Sequence, residues 1–145
     1  MKNYLKRTAV LLMAGLMLLA GIAVPCRRAE AAMMYNNTNY ATLSGSIDSN
    51  GDLHATMYVM GINGRTTKIE VALYVEKRVL GLFWTKVDIG CENNIWKDYT
   101  TKISYSNTFS THLNSGGTYR ITVTYTVSGS GGSSDTITKT ETLSY

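Results

Sequence analysis

Cysteine, proline and histidine are scarce in this chain, which has two cysteines, one proline and two histidines among 145 residues. A disulfide scaffold needs several paired cysteines, and a structural zinc site needs four ligands at paired spacings. The candidate side chains are too few and too widely spaced for either: Cys26, Cys91, His54 and His112. The single proline, Pro25, excludes a proline-rich linker. The sequence therefore predicts one packed domain with no cofactor and no metal.

Long apolar runs are also missing, except for one near the N-terminus. Ala9–Val24 contains no charged residue, a basic segment ending at Arg7 precedes it, and Ala29–Ala31 follows with the small-x-small pattern that signal peptidase cuts. Its sixteen residues fall short of the ~20 that a membrane-spanning helix needs. Residues 1–31 are therefore predicted to be a secretory signal, cleaved before Ala32, and the mature protein is predicted to be extracellular.

An excess of charge of one sign is lacking in the predicted mature protein. Five of the fourteen basic residues and one of the ten acidic residues lie in residues 1–31, which leaves nine of each in residues 32–145. A nucleic-acid-binding domain needs a net basic face to displace counterions from phosphates. The mature composition therefore predicts no nucleic-acid partner.

What the remaining chain does have is alternation of apolar and polar residues with a period of two, which is typical of β-strands. Asn50-Gly51 between the first two runs predicts a hairpin with a type I′ turn. Seven strands in about a hundred residues predict an antiparallel two-sheet sandwich of immunoglobulin or fibronectin type III character, spanning residues 42–145 after a flexible segment at 32–41. The predicted strands are Thr42–Ile47, Leu53–Val59, Lys68–Glu76, Trp84–Cys91, Thr100–Phe109, Tyr119–Val127 and Thr136–Leu143.

The segment Leu113–Tyr119 resembles the tyrosine corner of immunoglobulin-like domains. In that motif a tyrosine at the start of the penultimate strand donates its hydroxyl hydrogen bond back to the preceding turn. The sequence therefore predicts that Tyr119 is buried and bonded to the backbone between Leu113 and Gly116.

The predicted mature chain as a whole resembles small secreted proteins of Gram-positive bacteria that have this kind of sandwich. The resemblance rests on the signal peptide, on Thr67–Leu73 followed by a tryptophan-containing strand, on Gly117–Tyr125, and on the Ser/Gly hairpin at Ser128–Ser134. These motifs build a sandwich and carry no chemistry. The resemblance therefore implies a fold and a location outside the cell, and no activity.

One segment breaks the strand pattern, the turn at residues 77–86 between the third and fourth predicted strands. It carries large apolar side chains where polar ones are expected, with basic residues at both ends. Such a loop either enters a membrane interface or a protein groove, or folds back to cap the core. Because a small domain needs its large apolar groups for folding, the sequence favours capping, with Phe83 left outside. The candidate binding residues are Arg78, Leu80, Leu82, Phe83, Trp84 and, in the next connection, Trp96.

No motif in the sequence combines a nucleophile, a base and an orienting group, so no enzyme is predicted. An Asp/Glu site or a Cys91–histidine pair remains open, because such sites assemble in space and not in sequence. The predicted function is a secreted, non-enzymatic domain that binds an extracellular protein or glycan, with membrane-surface contact also considered, at or near the bacterial cell surface. The alternative is a secreted antimicrobial or toxin-like protein that acts on membranes through the apolar loop.

Overall fold

Two antiparallel β-sheets packed face to face make up the protein in a computed structural model, which describes residues 35–145. One sheet has the order β1-β2-β6, and the other has the order β4-β3-β7-β8, with β5 pairing β3 beside β4. The predicted two-sheet sandwich is confirmed, whereas the predicted signal peptide lies outside the described residues. The strands are β1 (Thr38–Ile47), β2 (Asp52–Gly61), β3 (Thr66–Val79), β4 (Phe83–Lys86), β5 (Trp96–Thr100), β6 (Ser104–His112), β7 (Thr118–Gly129) and β8 (Asp135–Ser144).

The strand order is that of an immunoglobulin-like sandwich. Strands β2 and β6 are neighbours in one sheet, as strands B and E are, and β3, β7 and β8 are neighbours in the other, as strands C, F and G are. Tyr119 opens β7, is 2% exposed, and donates its hydroxyl hydrogen bond to the carbonyl of Ser115. The predicted tyrosine corner is therefore confirmed.

The core lies between the sheets and is built by alternation along the central strands. Every second residue of β3 from Ile69 to Val75 is buried, and so is every second residue of β7 from Tyr119 to Val127. Side chains on one face of a strand share a sheet surface, so these residues meet the inward face of β2. The side chains that β2 contributes are Leu53, Ala55, Met57 and Val59, all fully buried.

The fourth predicted strand, Trp84–Cys91, is too long. Strand β4 ends at Lys86, and the chain then turns so that Ile89 reaches the edge of the core, where it is 9% exposed. Gly90, Asn93 and Asn94 have positive φ values of 73°, 55° and 55°, which no regular strand contains. Of these three residues only Gly90 lies within the predicted strand, and its left-handed backbone excludes a regular strand that continues to Cys91.

The fifth predicted strand, Thr100–Phe109, is in fact the end of β5 and most of β6, which lie in different sheets. The bend at residues 101–103 carries the chain from one sheet to the other, as corners of sandwiches do. The sequence does not predict β5 as a separate strand, because Asp98 occupies an inward position, opposite Val71, where an apolar residue is expected. Its carboxylate accepts hydrogen bonds from the Tyr105 hydroxyl at 2.9 Å and from the Asn107 amide at 3.3 Å, so the charge is compensated there.

The β1–β2 hairpin is present, but its turn differs from the predicted type I′ turn. The Gly51 N–H donates to the Asp48 carbonyl at 3.1 Å, and Gly51 alone of the loop residues has positive φ, 87°. The Asp48 carboxylate accepts from the backbone N–H groups of Asn50 and Asp52, both at 2.9 Å. This loop is therefore a type I turn followed by a left-handed glycine, stabilised by an aspartate side chain.

Part of the segment predicted to be flexible, residues 32–41, belongs to the sandwich, because residues 38–41 lie in a strand. Strand β1 begins at Thr38, and Asn37 is completely buried. The Asp135 carboxylate accepts hydrogen bonds from the backbone N–H groups of Asn36 and Asn37, at 2.9 and 2.8 Å. A Cβ at Gly131 would lie 2.1 Å from the Asn36 carbonyl oxygen, so only glycine fits there. The β7–β8 turn therefore holds the first residues of the domain in place.

Candidate functional site

The β3–β4 hairpin extends past the buried part of its sheet. Alternating burial along β3 ends at Val75, but the strand continues to Val79 before it turns. Strand β4 returns antiparallel, with Val79 opposite Phe83 and Arg78 opposite Trp84. Among the strands of residues 35–145, β4 pairs with β3 alone. The end of the hairpin therefore projects from the sandwich.

Four large apolar side chains are exposed at this end, which we call the hairpin tip (residues 79–83). Leu80 is 85% exposed, Leu82 74%, Phe83 64% and Val79 41%. The expectation that this loop caps the core is therefore wrong for Leu80 and Leu82, while Phe83 does lie outside as expected. The physical reason is that the turn lies four residues beyond Val75, the last buried position of β3.

The backbone of the tip is unusual for the residues it contains. The Leu82 N–H donates to the Val79 carbonyl at 3.1 Å, and the two central residues, Leu80 and Gly81, have φ values of 52° and 70°. A leucine in the left-handed region costs about 1–2 kcal/mol, and asparagine or glycine is the usual residue at such a position. Folding stability alone would therefore not select leucine at this position.

Trp84 lies directly behind the tip, between two arginines. The Arg120 guanidinium is 4.2 Å from the centre of the Trp84 ring, and that of Arg78 is 6.0 Å away. Arg120 is fixed in turn by Glu76, whose carboxylate oxygen lies 2.7 Å from an Arg120 terminal nitrogen and 2.8 Å from its Nε. Cation–π stacking and a two-contact ion pair therefore fix the tryptophan on the outer face of the sheet.

Two lysines complete a basic belt behind the tip. The Lys77 ammonium donates to the Ser115 hydroxyl at 2.6 Å and lies 5.4 Å from the centre of the Tyr119 ring. Lys86 Nζ lies 5.1 Å from the centre of the Tyr74 ring. With Arg78 and Arg120 these lysines form the basic belt, in which Arg120 is paired with the Glu76 carboxylate.

Trp96 does not belong to this site. It lies in β5, opposite Leu73, and is half-buried. Its ring centre is 5.7 Å from that of Phe109, and it packs against the core cluster. The structure therefore brings together five of the six predicted residues and places Trp96 at the edge of the core.

A second surface feature, an open groove of about 430 Å³, lies on the outer face of the larger sheet. Ala72 forms the floor of the groove, because its side chain is shorter than those of its neighbours Lys97 on β5 and Thr124 on β7. Tyr99, which is 65% exposed, forms one wall, and Lys68 Nζ lies 5.5 Å from its ring centre. Sequence reasoning missed this groove because it depends on the pairing of β5 with β3.

The histidines and the described cysteine form no shared site. His54 Nδ1 lies 2.8 Å from the Ser110 hydroxyl, and His112 Nδ1 lies 2.8 Å from the Asp52 carboxylate, both on the exposed face of the smaller sheet. Cys91 is a half-buried free thiol in the connection after β4. Within residues 35–145 no group of three or more histidine, cysteine, aspartate or glutamate side chains is arranged to hold a metal ion.

No helix in the described part of the chain is both long enough and apolar enough to cross a membrane. No protein-family model and no curated protein sequence matches this chain. Inferences about its function therefore rest on the geometry of the hairpin.

Proposed function

We propose that this protein is a secreted, non-enzymatic binding domain that acts at the bacterial cell surface and contacts its partner through the hairpin tip. The observation that carries the proposal is the exposure of Leu80, Leu82 and Phe83 on a projecting turn. The signal-like N-terminus and the resemblance to secreted proteins of Gram-positive bacteria support a location outside the cell.

The tip is separate from what stabilises the fold. The core is formed by the alternating inward residues of both sheets, and none of the tip residues belongs to it. Exposed apolar side chains add little to folding and favour association with other surfaces. A tip that combines exposed leucines with a strained turn is therefore better explained by binding than by folding.

A binding role also agrees with the ionisable groups of the described residues. The carboxylates with clear partners are used in turns, the tyrosine network and the ion pair of Arg120. In the open groove beside Tyr99, the Glu70 carboxylate stands opposite Thr126 and is paired with Lys68 at 2.7 Å. These arrangements support binding rather than catalysis.

The test is a binding assay of the secreted protein on intact Gram-positive cells. We expect Leu82→Ser/Phe83→Ser to lose at least about tenfold in cell binding, because two apolar contacts are removed. We expect its free energy of unfolding to change by no more than about 0.5 kcal/mol per residue, because both side chains are exposed.

The matched control is Tyr99→Ser, which removes an equally exposed aromatic from another part of the same sheet. It is expected to keep full cell binding. Unchanged binding of the double variant would overturn the proposal, and so would an equal loss of binding in the Tyr99 control.

A further inference from the structure

We infer that the surface recognised by the hairpin is an anionic lipid bilayer, which the tip enters only as far as the interface. This inference rests on the proposed function and deepens it by naming the partner. It depends on the order in which side chains follow one another from the turn toward the sandwich.

That order matches the layers of a membrane interface. The turn residues Leu80 and Leu82 come first, followed by the facing pair of Val79 and Phe83. The next facing pair is Arg78 and Trp84. Tryptophan and arginine are favoured at the level of lipid headgroups, where an apolar body and a polar or charged end are both satisfied. The hairpin thus places apolar groups deepest and amphipathic groups just behind them.

The length of the hairpin limits how deep it can go. Arg78 is two residue steps from Leu80, and Trp84 is two steps from Leu82, which at ~3.3 Å per step is roughly 7 Å. Interfacial segments bury their apolar face about 5–10 Å into the boundary of headgroups and acyl chains. The hydrocarbon core is ~30 Å thick, so a tip of this length reaches its edge and does not cross it. The hairpin is therefore suited to attachment without permeabilisation.

The charge distribution selects anionic lipids. The predicted mature protein is formally neutral, yet the basic belt gathers four cations on and beside one hairpin, of which Arg120 is paired with Glu76. Lysine and arginine near an anionic membrane each strengthen binding about fivefold, an effect that salt weakens. The Arg78 and Arg120 guanidinium groups lie beside Trp84 and are at headgroup level when the tip is buried. The two lysines stand further toward the sandwich, beside Tyr119 and Tyr74, and attract the anionic surface over a longer distance.

A protein partner fits this site less well. Specific protein interfaces bury roughly 800 Å² on each partner, more than the four side chains of a narrow turn can supply. The tip is also a narrow projecting turn, a shape that suits a deformable lipid surface.

The test is flotation of the secreted protein with lipid vesicles. We expect binding to vesicles that contain phosphatidylglycerol and at least tenfold weaker binding to vesicles of phosphatidylcholine alone. Leu82→Ser/Phe83→Ser is expected to abolish vesicle binding. Arg78→Gln/Lys86→Gln is expected to weaken it roughly 25-fold, about fivefold for each charge. The matched control, Lys102→Gln/Lys139→Gln, removes two exposed cations elsewhere and is expected to weaken binding less than threefold.

Two results would overturn the inference. One is the absence of binding to anionic vesicles by a wild-type protein whose unfolding midpoint shows that it is folded. The other is release of a dye trapped in the vesicles in proportion to protein bound, because the tip would then disrupt the bilayer as a toxin does.

The same variants on intact cells separate this inference from the proposed function. If Leu82→Ser/Phe83→Ser loses cell binding but the wild type does not bind vesicles, the tip binds a surface protein or wall polymer and only the lipid inference fails. If the double variant keeps cell binding, the proposed function fails with it. Equal binding to isolated cell walls and to wall-stripped protoplasts would also contradict the lipid inference, because walls contain no hydrocarbon layer.

Discussion

The Tyr119 side chain connects the core of the sandwich to a turn at the surface. Its side chain is packed in the core, whereas Ser115, whose carbonyl accepts the hydroxyl, lies in an exposed turn. Water can therefore replace the hydroxyl as a partner of that carbonyl, and the bond contributes as an ordinary neutral hydrogen bond.

We predict that Tyr119→Phe lowers the free energy of unfolding by about 0.5–1.5 kcal/mol, measured by urea denaturation. A larger loss, up to about 3 kcal/mol, would be expected if the acceptor were buried and left unpaired. The control is Tyr99→Phe, where the ring is exposed and no change is expected. A Tyr119→Phe protein as stable as the parent would mean that the corner contributes nothing.

Asp135 gives the stability of the domain a dependence on pH. Burial alone would raise the pKa of this carboxyl, but hydrogen bonds from the Asn36 and Asn37 N–H groups and from the Thr38 hydroxyl outweigh it and hold the pKa below its ordinary value of 3.8. A carboxyl with a lowered pKa in the folded state stabilises the fold above the unfolded-state pKa, and that contribution disappears as the pH falls through the folded-state pKa.

We therefore predict that Asp135→Asn lowers the free energy of unfolding by about 1.5–3 kcal/mol at pH 7, because hydrogen bonds to a charged acceptor are lost. The difference from the wild type should shrink below about pH 4 as the wild-type carboxyl is protonated. Urea midpoints over this pH range measure it, with the exposed Glu92→Gln as the control. A difference that stayed constant down to about pH 2 would exclude the carboxylate as its source.

At the scale of elements, prediction from sequence succeeded where each strand has one buried face. Apolar residues alternate with polar ones in β3 and β7, and the apolar ones are buried. The sequence alone therefore predicts that Ile69 and Ile121 face the core. Prediction failed for β5, because Asp98 breaks the alternation and its partner Tyr105 comes from a strand of the other sheet. Burial of the Tyr105 hydroxyl raises its pKa to about 12.

The candidate site, too, could be predicted only in part from the sequence. The sequence identified the hairpin because Leu80 and Leu82 are apolar where a turn should be polar. It could not decide between capping and exposure, since that depends on how far β3 runs beyond the sandwich. The basic belt also could not be predicted in full, because Arg120 lies on β7 and reaches Trp84 only through the pairing of β3 with β7.

At the scale of the whole molecule, folding and binding use different parts of the chain. The sandwich is stabilised by the packing between its sheets, with one free cysteine in the described residues and therefore no disulfide among them. Four of the eight exposed large apolar side chains of the described residues lie on one projecting hairpin, next to a cluster of positive charge in a domain that is formally neutral in total. On our proposal, this end of the molecule is the element that contacts the membrane.

The most direct test of that claim is the fluorescence of Trp84. The chain has two tryptophans, so Trp96→Phe leaves Trp84 as the reporter just behind the tip. We predict that its emission shifts to shorter wavelength when vesicles containing phosphatidylglycerol are added, because the ring moves from water to the headgroup region. The same background with Leu82→Ser/Phe83→Ser should show no shift. An emission maximum that stays unchanged at saturating vesicle concentration, in a protein that remains folded, would contradict the account.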